Sequence, residues 1–244
     1  MNRLTESAIE KFAIKLFERL GYLYLYSQES EQSERSRYEE VVLINRLESA
    51  LKRINPNIST AGLESALKEV QRINSPDLPT NNETFHRLLT EGVKLSYQSA
   101  GSERGDIVWL IDFFNLENNE FVVANQFTVI ENNQNKRPDM ILFVNGLPLV
   151  VIELKNATDE NATLKSACLQ LETYKQTIPS LFTYNALLVI SDGLEAKAGS
   201  LSAGFSRFMA WKTADGKAEA SHLVSQLETL INGLLNKVTL LDLI

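Results

Sequence analysis

One stretch constrains this chain more than any other: residues 137–155, RPDMILFVNGLPLVVIELK. Two β-branched, apolar runs flank Asn145-Gly146, the dipeptide that favours the tight turn of a β-hairpin. The runs are apolar enough to be buried on both faces, which places the hairpin inside a sheet rather than at its surface. Yet Asp139 opens one strand, and Glu153 and Lys155 close the other. Burying a charge costs several kcal/mol unless it is paired, hydrogen-bonded or bound to a metal.

Glu153 and Lys155 are two apart and point to the same face of a strand. The direction of Asp139 depends on the turn. A two-residue loop pairs Val144 with Leu147 and sets Asp139 opposite Ile152, leaving Asp139 and Glu153 on opposite faces. A three-residue loop pairs Val144 with Pro148 and sets Asp139 opposite Glu153. A shared site requires this second register or an equivalent bulge. Two close carboxylates repel unless a cation lies between them, and oxygen donors suit Mg²⁺. Such an ion polarises a phosphoryl oxygen and acidifies a bound water, and a neighbouring lysine stabilises the developing charge. The same three residues also read as a strand-end salt bridge, and the hairpin alone leaves both readings open.

The helix expected at 161–177 follows. It places Gln170 and Tyr174 at i, i+4 on one face, with Leu164, Ala167, Cys168, Leu171 and Ile178 as its packing stripe. An edge amide and a half-buried phenol are common on helices. Their pairing directly after Glu-Leu-Lys is much less so.

Elsewhere the pattern predicts a helix at 5–20, with Ile9, Phe12, Ala13, Leu16, Phe17 and Leu20 on one face and Gly21 as its stop, then a strand at 22–26. The polar run SQESEQSER at 27–35 reads as a solvated connection. Helices are expected at 37–54 and 60–73, with NPN at 55–57 and SPDLP at 75–79 as breakers, and a short helix at 82–91. Strands follow at 93–98, 106–113 and 120–131, with a turn at 115–119. A strand at 183–191, a Gly/Ser-rich loop at 193–204 and a last helix at 219–236 complete the chain. This order predicts an α/β fold with a mixed central sheet flanked by helices, and a helical insertion over 27–80.

Composition limits the chemistry. No apolar run of the 244 residues nears the ~20 needed to span a bilayer, and the N-terminus lacks the apolar core of a secretory signal. One cysteine, Cys168, excludes an intramolecular disulfide framework and suits a reducing cytoplasm. With only His86 and His222 beside it, a structural zinc site is excluded. A net charge of −7 requires any DNA contact to be local or shared with a partner. No GxxxxGK[ST] segment is present, so an ATP site, if the function uses one, lies outside this chain.

The phrases GDIVWLIDFFNLENNEFVVANQFTV, RPDMILFVNGLPLVVIELKN, QLETY, IPSLFTYNALLVISDG and FMAWK together resemble the N-terminal nuclease region of the restriction (motor) subunit of Type I restriction-modification enzymes. The resemblance is strongest over 82–212 and weakest over 28–80. It implies one endonuclease domain over 1–244, with a RecB-like PD-(D/E)xK core. Asp139, Glu153 and Lys155 match the catalytic positions, and Gln170 and Tyr174 match the associated Gln-x-x-x-Tyr motif. Asp139 and Glu153 are then the metal ligands, with the Leu154 carbonyl as a further oxygen. The family also carries an acidic residue on its first helix, for which Glu10 fits best and Glu6 is the alternative. Ser7-Ala8-Ile9-Glu10 also reads as a capping box, and Glu6 as a first-turn carboxylate.

The expected activity is Mg²⁺-dependent cleavage of double-stranded DNA, with Mn²⁺ as a substitute. The family also implies an ATP-driven translocase following in the same polypeptide, modification and specificity subunits as partners, and no membrane. The chain ends before any helicase motif and so reads as an N-terminal fragment. Rival readings are a non-catalytic docking module for those partners and a stand-alone repair nuclease. Lys136 and Arg137 read as solvated basic residues that could reach a phosphate, Cys168 as a small core residue, His86 as a packing or capping residue and Trp211 as a packing anchor. Gln126, in the family phrase ANQFTV, stands out as a residue that matters, without a physical account of why.

Overall fold

Asn145 and Gly146 both take positive φ, 52° and 82°, and join β7 (Met140–Val144) to β8 (Leu147–Leu154) by a two-residue turn. This is the loop expected to put Asp139 and Glu153 on opposite faces. The ladder corrects it. Val144 pairs with Leu147 and Phe143 with Pro148, but Leu142 pairs with Val150, so Leu149 is an extra residue in β8. Beyond this bulge Met140 faces Ile152, and the register continues to set Asp139 opposite Glu153. Pro148 has no N–H to give a central ladder, and such prolines sit at bulges. It was the available signal in the sequence.

The computed structural model describes residues 5–26, 34–99, 102–156 and 163–244. Among them, six strands form a mixed sheet in the order β1-β4-β7-β8-β9-β10. β1 (Leu23–Tyr26) runs parallel to β4 (Phe121–Asn125), and β8 runs parallel to β9 (Leu187–Ser191). The β4–β7, β7–β8 and β9–β10 (Ala196–Gly199) pairs are antiparallel. Every residue of β4, β7 and β8 is buried, as expected for strands covered on both faces. Helix α1 (Glu6–Arg19) packs on β1, β4 and β8. Its buried stripe is Ile9, Ala13, Ile14, Leu16 and Phe17, whereas Phe12 is exposed.

The helical region differs in its boundaries. The helix expected at 37–54 begins only at Ile44, giving α2 (Ile44–Ile54). Val41, Val42 and Leu43 are buried ahead of it, and the Leu43 N–H bonds the Gly146 carbonyl at 2.9 Å. A tertiary contact with the hairpin turn therefore overrides the helical periodicity. α3 spans Thr60–Gln71. The segment 75–79 separates α3 from the next helix, as expected, and also starts that helix earlier than residue 82: Asp77 accepts the Thr80 N–H at 3.0 Å and Pro79 sits in the first turn of α4 (Leu78–Glu91).

The strand pattern is more divided than expected. β2 (Val93–Ser99) pairs with β3 (Ser102–Val108). At Trp109 the chain leaves this ladder, and Asn55 takes both Trp109 backbone groups, at 2.8 and 2.9 Å. The run 120–131 splits at Gln126 (φ 52°) into β4 and β5 (Val129–Glu131). β5 pairs with β6 (Gln134–Lys136) across Asn132-Asn133, both at positive φ, a turn left unread in the sequence.

After α5 (Leu164–Thr177) comes a helical turn, α6 (Pro179–Thr183), the strand expected at 183–191 begins only at Leu187, and the expected loop at 193–204 contains β10. The helix expected at 219–236 is shorter, α7 (Gln226–Gly233), and a further helix follows it, α8 (Lys237–Leu243), which Asn236 caps through the Thr239 N–H at 3.0 Å. The loop assigned to 27–35 and the α5 start assigned to 161 fall largely outside the described residues. No helix among those described is long and apolar enough to cross a membrane.

Candidate active site

The Leu149 bulge brings the strand-end charges to one place. Asp139 immediately precedes β7, and its Oδ2 accepts the Leu154 N–H at 2.7 Å. Glu153 is 1% exposed. Its Oε1 accepts from Lys155 Nζ at 2.7 Å, while Oε2 is buried with no hydrogen-bond partner. Lys155 is anchored through its backbone, whose N–H donates to the Ser191 carbonyl at 2.8 Å.

The two acids act on each other electrostatically. Burial pushes the Glu153 carboxyl up to about 8, and the negative charge of Asp139 pushes it in the same direction. Burial likewise raises Asp139 to about 6, against the Leu154 N–H and Lys155, which favour its charged form. Glu6 and Glu10 add to that rise. Four carboxyl groups, Glu6, Glu10, Asp139 and Glu153, thus act on a site that holds one lysine. Among the described residues, no three His, Cys, Asp or Glu side chains already form a coordination set. The unpartnered Glu153 oxygen and two desolvated carboxylates nevertheless fit a hard divalent cation, which prefers oxygen donors.

Both helix candidates reach the site, one turn apart on α1. The exposed Glu6 acts through its charge on both strand carboxylates. Glu10 is hydrogen-bonded into place: Asn125 Nδ2 donates to its Oε1, and Gln126 Nε2 donates to its Oε2 at 2.8 Å. The reading of Ser7 to Glu10 as a capping box is corrected, because the N-cap is Thr5, whose Oγ1 accepts the Ala8 N–H at 3.2 Å.

Asn125 is the residue that sequence reasoning missed, and Gln126 was singled out there without a physical role. Gln126 Nε2 also donates to Asp139 Oδ1 at 3.2 Å, and its backbone N–H donates to the Asp139 carbonyl at 2.8 Å. One amide thus bridges the α1 carboxylate and the β7 carboxylate. Asn125 Oδ1 in turn accepts from the Tyr24 hydroxyl at 2.9 Å. The available signal was an amide pair within an otherwise apolar run.

On α5, Gln170 Nε2 lies 2.6 Å from the Tyr174 hydroxyl. Burial raises the Tyr174 phenol well above its ordinary value, and the Glu153 charge acts the same way, so the ring lies within the field of the site. The packing stripe of α5, Leu164, Ala167, Cys168, Leu171 and Ile178, is buried as expected. Arg137 is exposed and its charge reaches Tyr174, placing it at the rim, whereas Lys136 is half-buried on β6. The other residues stand apart. Cys168 is a buried free thiol. His86 bonds the Asn185 carbonyl at 3.0 Å, Trp211 packs half-buried against the core, and His222 is exposed.

Comparison with known proteins places the chain in a family. The family model described as the Type I restriction enzyme R protein N terminus matches residues 3–207. The chain is 40% identical over 248 residues to the Type I restriction enzyme HindI endonuclease subunit of Haemophilus influenzae, covering 99% of this chain and 24% of the relative. It is 38% identical over 209 residues to a Methanocaldococcus jannaschii protein provisionally named as the endonuclease subunit of the type I restriction enzyme MjaIXP, covering 84% of this chain and 20% of that one. The chain thus spans about a quarter of the length of these relatives.

Proposed function

This chain belongs to the Type I restriction enzyme R protein N-terminal family, and on that premise we propose that it is the nuclease domain of such an enzyme, with a PD-(D/E)xK core. The observation that carries the reading is the bulge at Leu149. Without it, Asp139 and Glu153 would lie on opposite faces of the hairpin. A hairpin stabilised only for packing has no need of an irregularity that gathers a half-buried and a buried carboxyl group.

Asp139 and Glu153 would hold Mg²⁺ or Mn²⁺, with Glu10 and the Leu154 carbonyl as further oxygens. When bound, the ion supplies a Lewis acid at the phosphate and an acidified water. Every other element of the reaction belongs to the chain. Lys155 leaves Glu153 and turns its ammonium towards the scissile phosphate, where it offsets the charge that develops as the water oxygen bonds to phosphorus and the P–O ester bond to the leaving sugar oxygen breaks. The Leu154 N–H holds Asp139 in one rotamer through the step. The Gln170–Tyr174 pair forms a polar wall beside Glu153, and exposed Arg137 is placed for a backbone phosphate.

The substrate is double-stranded DNA. Target choice lies with modification and specificity subunits, and delivery of the DNA with an ATP-driven translocase in the same full-length polypeptide. Those partners also resolve the objection from a net charge of −7, because basic surfaces outside this chain can hold the duplex.

The test is Lys155→Ala in the full-length subunit, assembled with its partners. Loss of cleavage with assembly and ATP-driven translocation intact supports the nuclease reading. Loss of assembly instead supports a docking module in which Lys155 and Glu153 are a structural ion pair.

A further inference from the structure

We propose that Gln126 is a positioning residue for the divalent cation, holding the Glu10 and Asp139 carboxylates at a fixed separation through one side-chain amide. The inference rests on the reading of Asp139 and Glu153 as cation ligands and extends it to the residues that preset the site.

Gln126 occupies the left-handed region at φ 52°. That conformation is disfavoured for residues with a Cβ, and where a turn alone requires it, glycine or asparagine is the usual occupant. A glutamine tolerated there points to a need for its side chain. The side chain meets that need visibly: Nε2 lies 2.8 Å from Glu10 Oε2 and 3.2 Å from Asp139 Oδ1. The backbone contributes as well, because the Gln126 N–H bonds the Asp139 carbonyl at 2.8 Å. The same backbone reversal that ends β4 therefore aims the amide between the two acids.

The neighbouring residue completes the clamp. Asn125 holds the other Glu10 oxygen and is itself held by Tyr24. Both Glu10 oxygens and both Asp139 oxygens are thus fixed by amide or backbone donors. A carboxylate offers about four lone-pair sites, so each oxygen retains capacity for a cation. Donors that orient metal-binding carboxylates in this way typically contribute 10- to 100-fold to affinity. Without a cation, the same amide separates two like charges.

The experiment is Mn²⁺ titration of the 244-residue protein by calorimetry, comparing wild type with Gln126→Gly, Glu10→Ala and the double variant. Glycine keeps the positive-φ turn while removing the side chain with its amide, and thermal melting checks that the fold is kept. The expected result is a Gln126→Gly melt at or above wild type with Mn²⁺ affinity about tenfold or more weaker. In the Glu10→Ala background, Gln126→Gly should cost clearly less, because part of its effect runs through Glu10. Wild-type affinity in Gln126→Gly, or a penalty unchanged by Glu10→Ala, overturns the proposal while leaving the cation site standing. If wild type takes up no Mn²⁺ at all, the underlying reading of the site fails, and this proposal with it.

Discussion

Lys155 Nζ lies 2.7 Å from Glu153 Oε1, at the end of a strand where the other Glu153 oxygen is buried without a partner. The pair is half satisfied. As a structural ion pair it is poorly built, since a buried pair stabilises only when the remaining lone pairs are also met. As an active-site pair it is poised, because the lysine can leave for a phosphate when a cation takes the carboxylate. Lys155→Ala should therefore reduce DNA cleavage by at least about 100-fold, the usual scale for losing one charge-stabilising donor. Circular dichroism should show the fold retained.

The raised Asp139 and Glu153 carboxyls fix the sign of a pH dependence. Both titrate higher in the folded chain, at about 6 and about 8, than their ordinary values of 3.8 and 4.5. Between those values the native state holds more protons than the unfolded one, so stability falls as pH rises. The contribution is fully present below about 4, is lost progressively up to about 8 and is flat above. In chelator, the unfolding free energy should decline by an amount on the order of a few kcal/mol across this window. The decline should flatten in an Asp139→Asn/Glu153→Gln double variant. Added Mn²⁺ should stabilise more at pH 8 than at pH 5, because it binds the deprotonated pair. Chemical denaturation across that range checks each point.

The turn at the far end of the hairpin offers a separate test of the fold. Gly146 has φ 82°, and a Cβ there would lie 2.4 Å from the Leu43 carbonyl oxygen and 3.1 Å from the Leu47 nitrogen. Gly146→Ala should destabilise by about 2–4 kcal/mol, from the backbone conformation and the collision together. A denaturant midpoint reads the loss. Mn²⁺ affinity at low temperature should stay at the wild-type value, since the site lies at the opposite end of the two strands.

Tyr174→Phe removes the hydroxyl that meets Gln170 at 2.6 Å and leaves the buried ring in place. The stability cost should be about 1 kcal/mol, that of one hydrogen bond. Cleavage should fall by about tenfold, more than stability alone explains, if the pair shapes the wall beside Glu153. Steady-state cleavage beside a thermal melt separates the two effects.

The hairpin and the α5 packing stripe were legible because each is periodic and locally determined, and the mixed sheet because the order of helices and strands implies one. Asn145-Gly146 declares its turn, and Leu164 through Ile178 declare one helical face. What escaped was set by contacts distant in sequence. The α2 start at Ile44 depends on Leu43 meeting Gly146, about a hundred residues away. The break at Gln126 depends on Glu10 and Asp139. Asp139 and Glu153 could be singled out from sequence, but their shared face could not, because it turns on one inserted residue. Pro148 hinted at that bulge without fixing its consequence.

Anomalous diffraction from crystals soaked in Mn²⁺ tests the central claim most directly. The account predicts one peak within about 2.5 Å of oxygens from both Asp139 and Glu153, with Lys155 Nζ displaced from Glu153 Oε1. A saturating soak that leaves no peak, with Lys155 still closed on Glu153, would contradict it and return the triad to a structural ion pair.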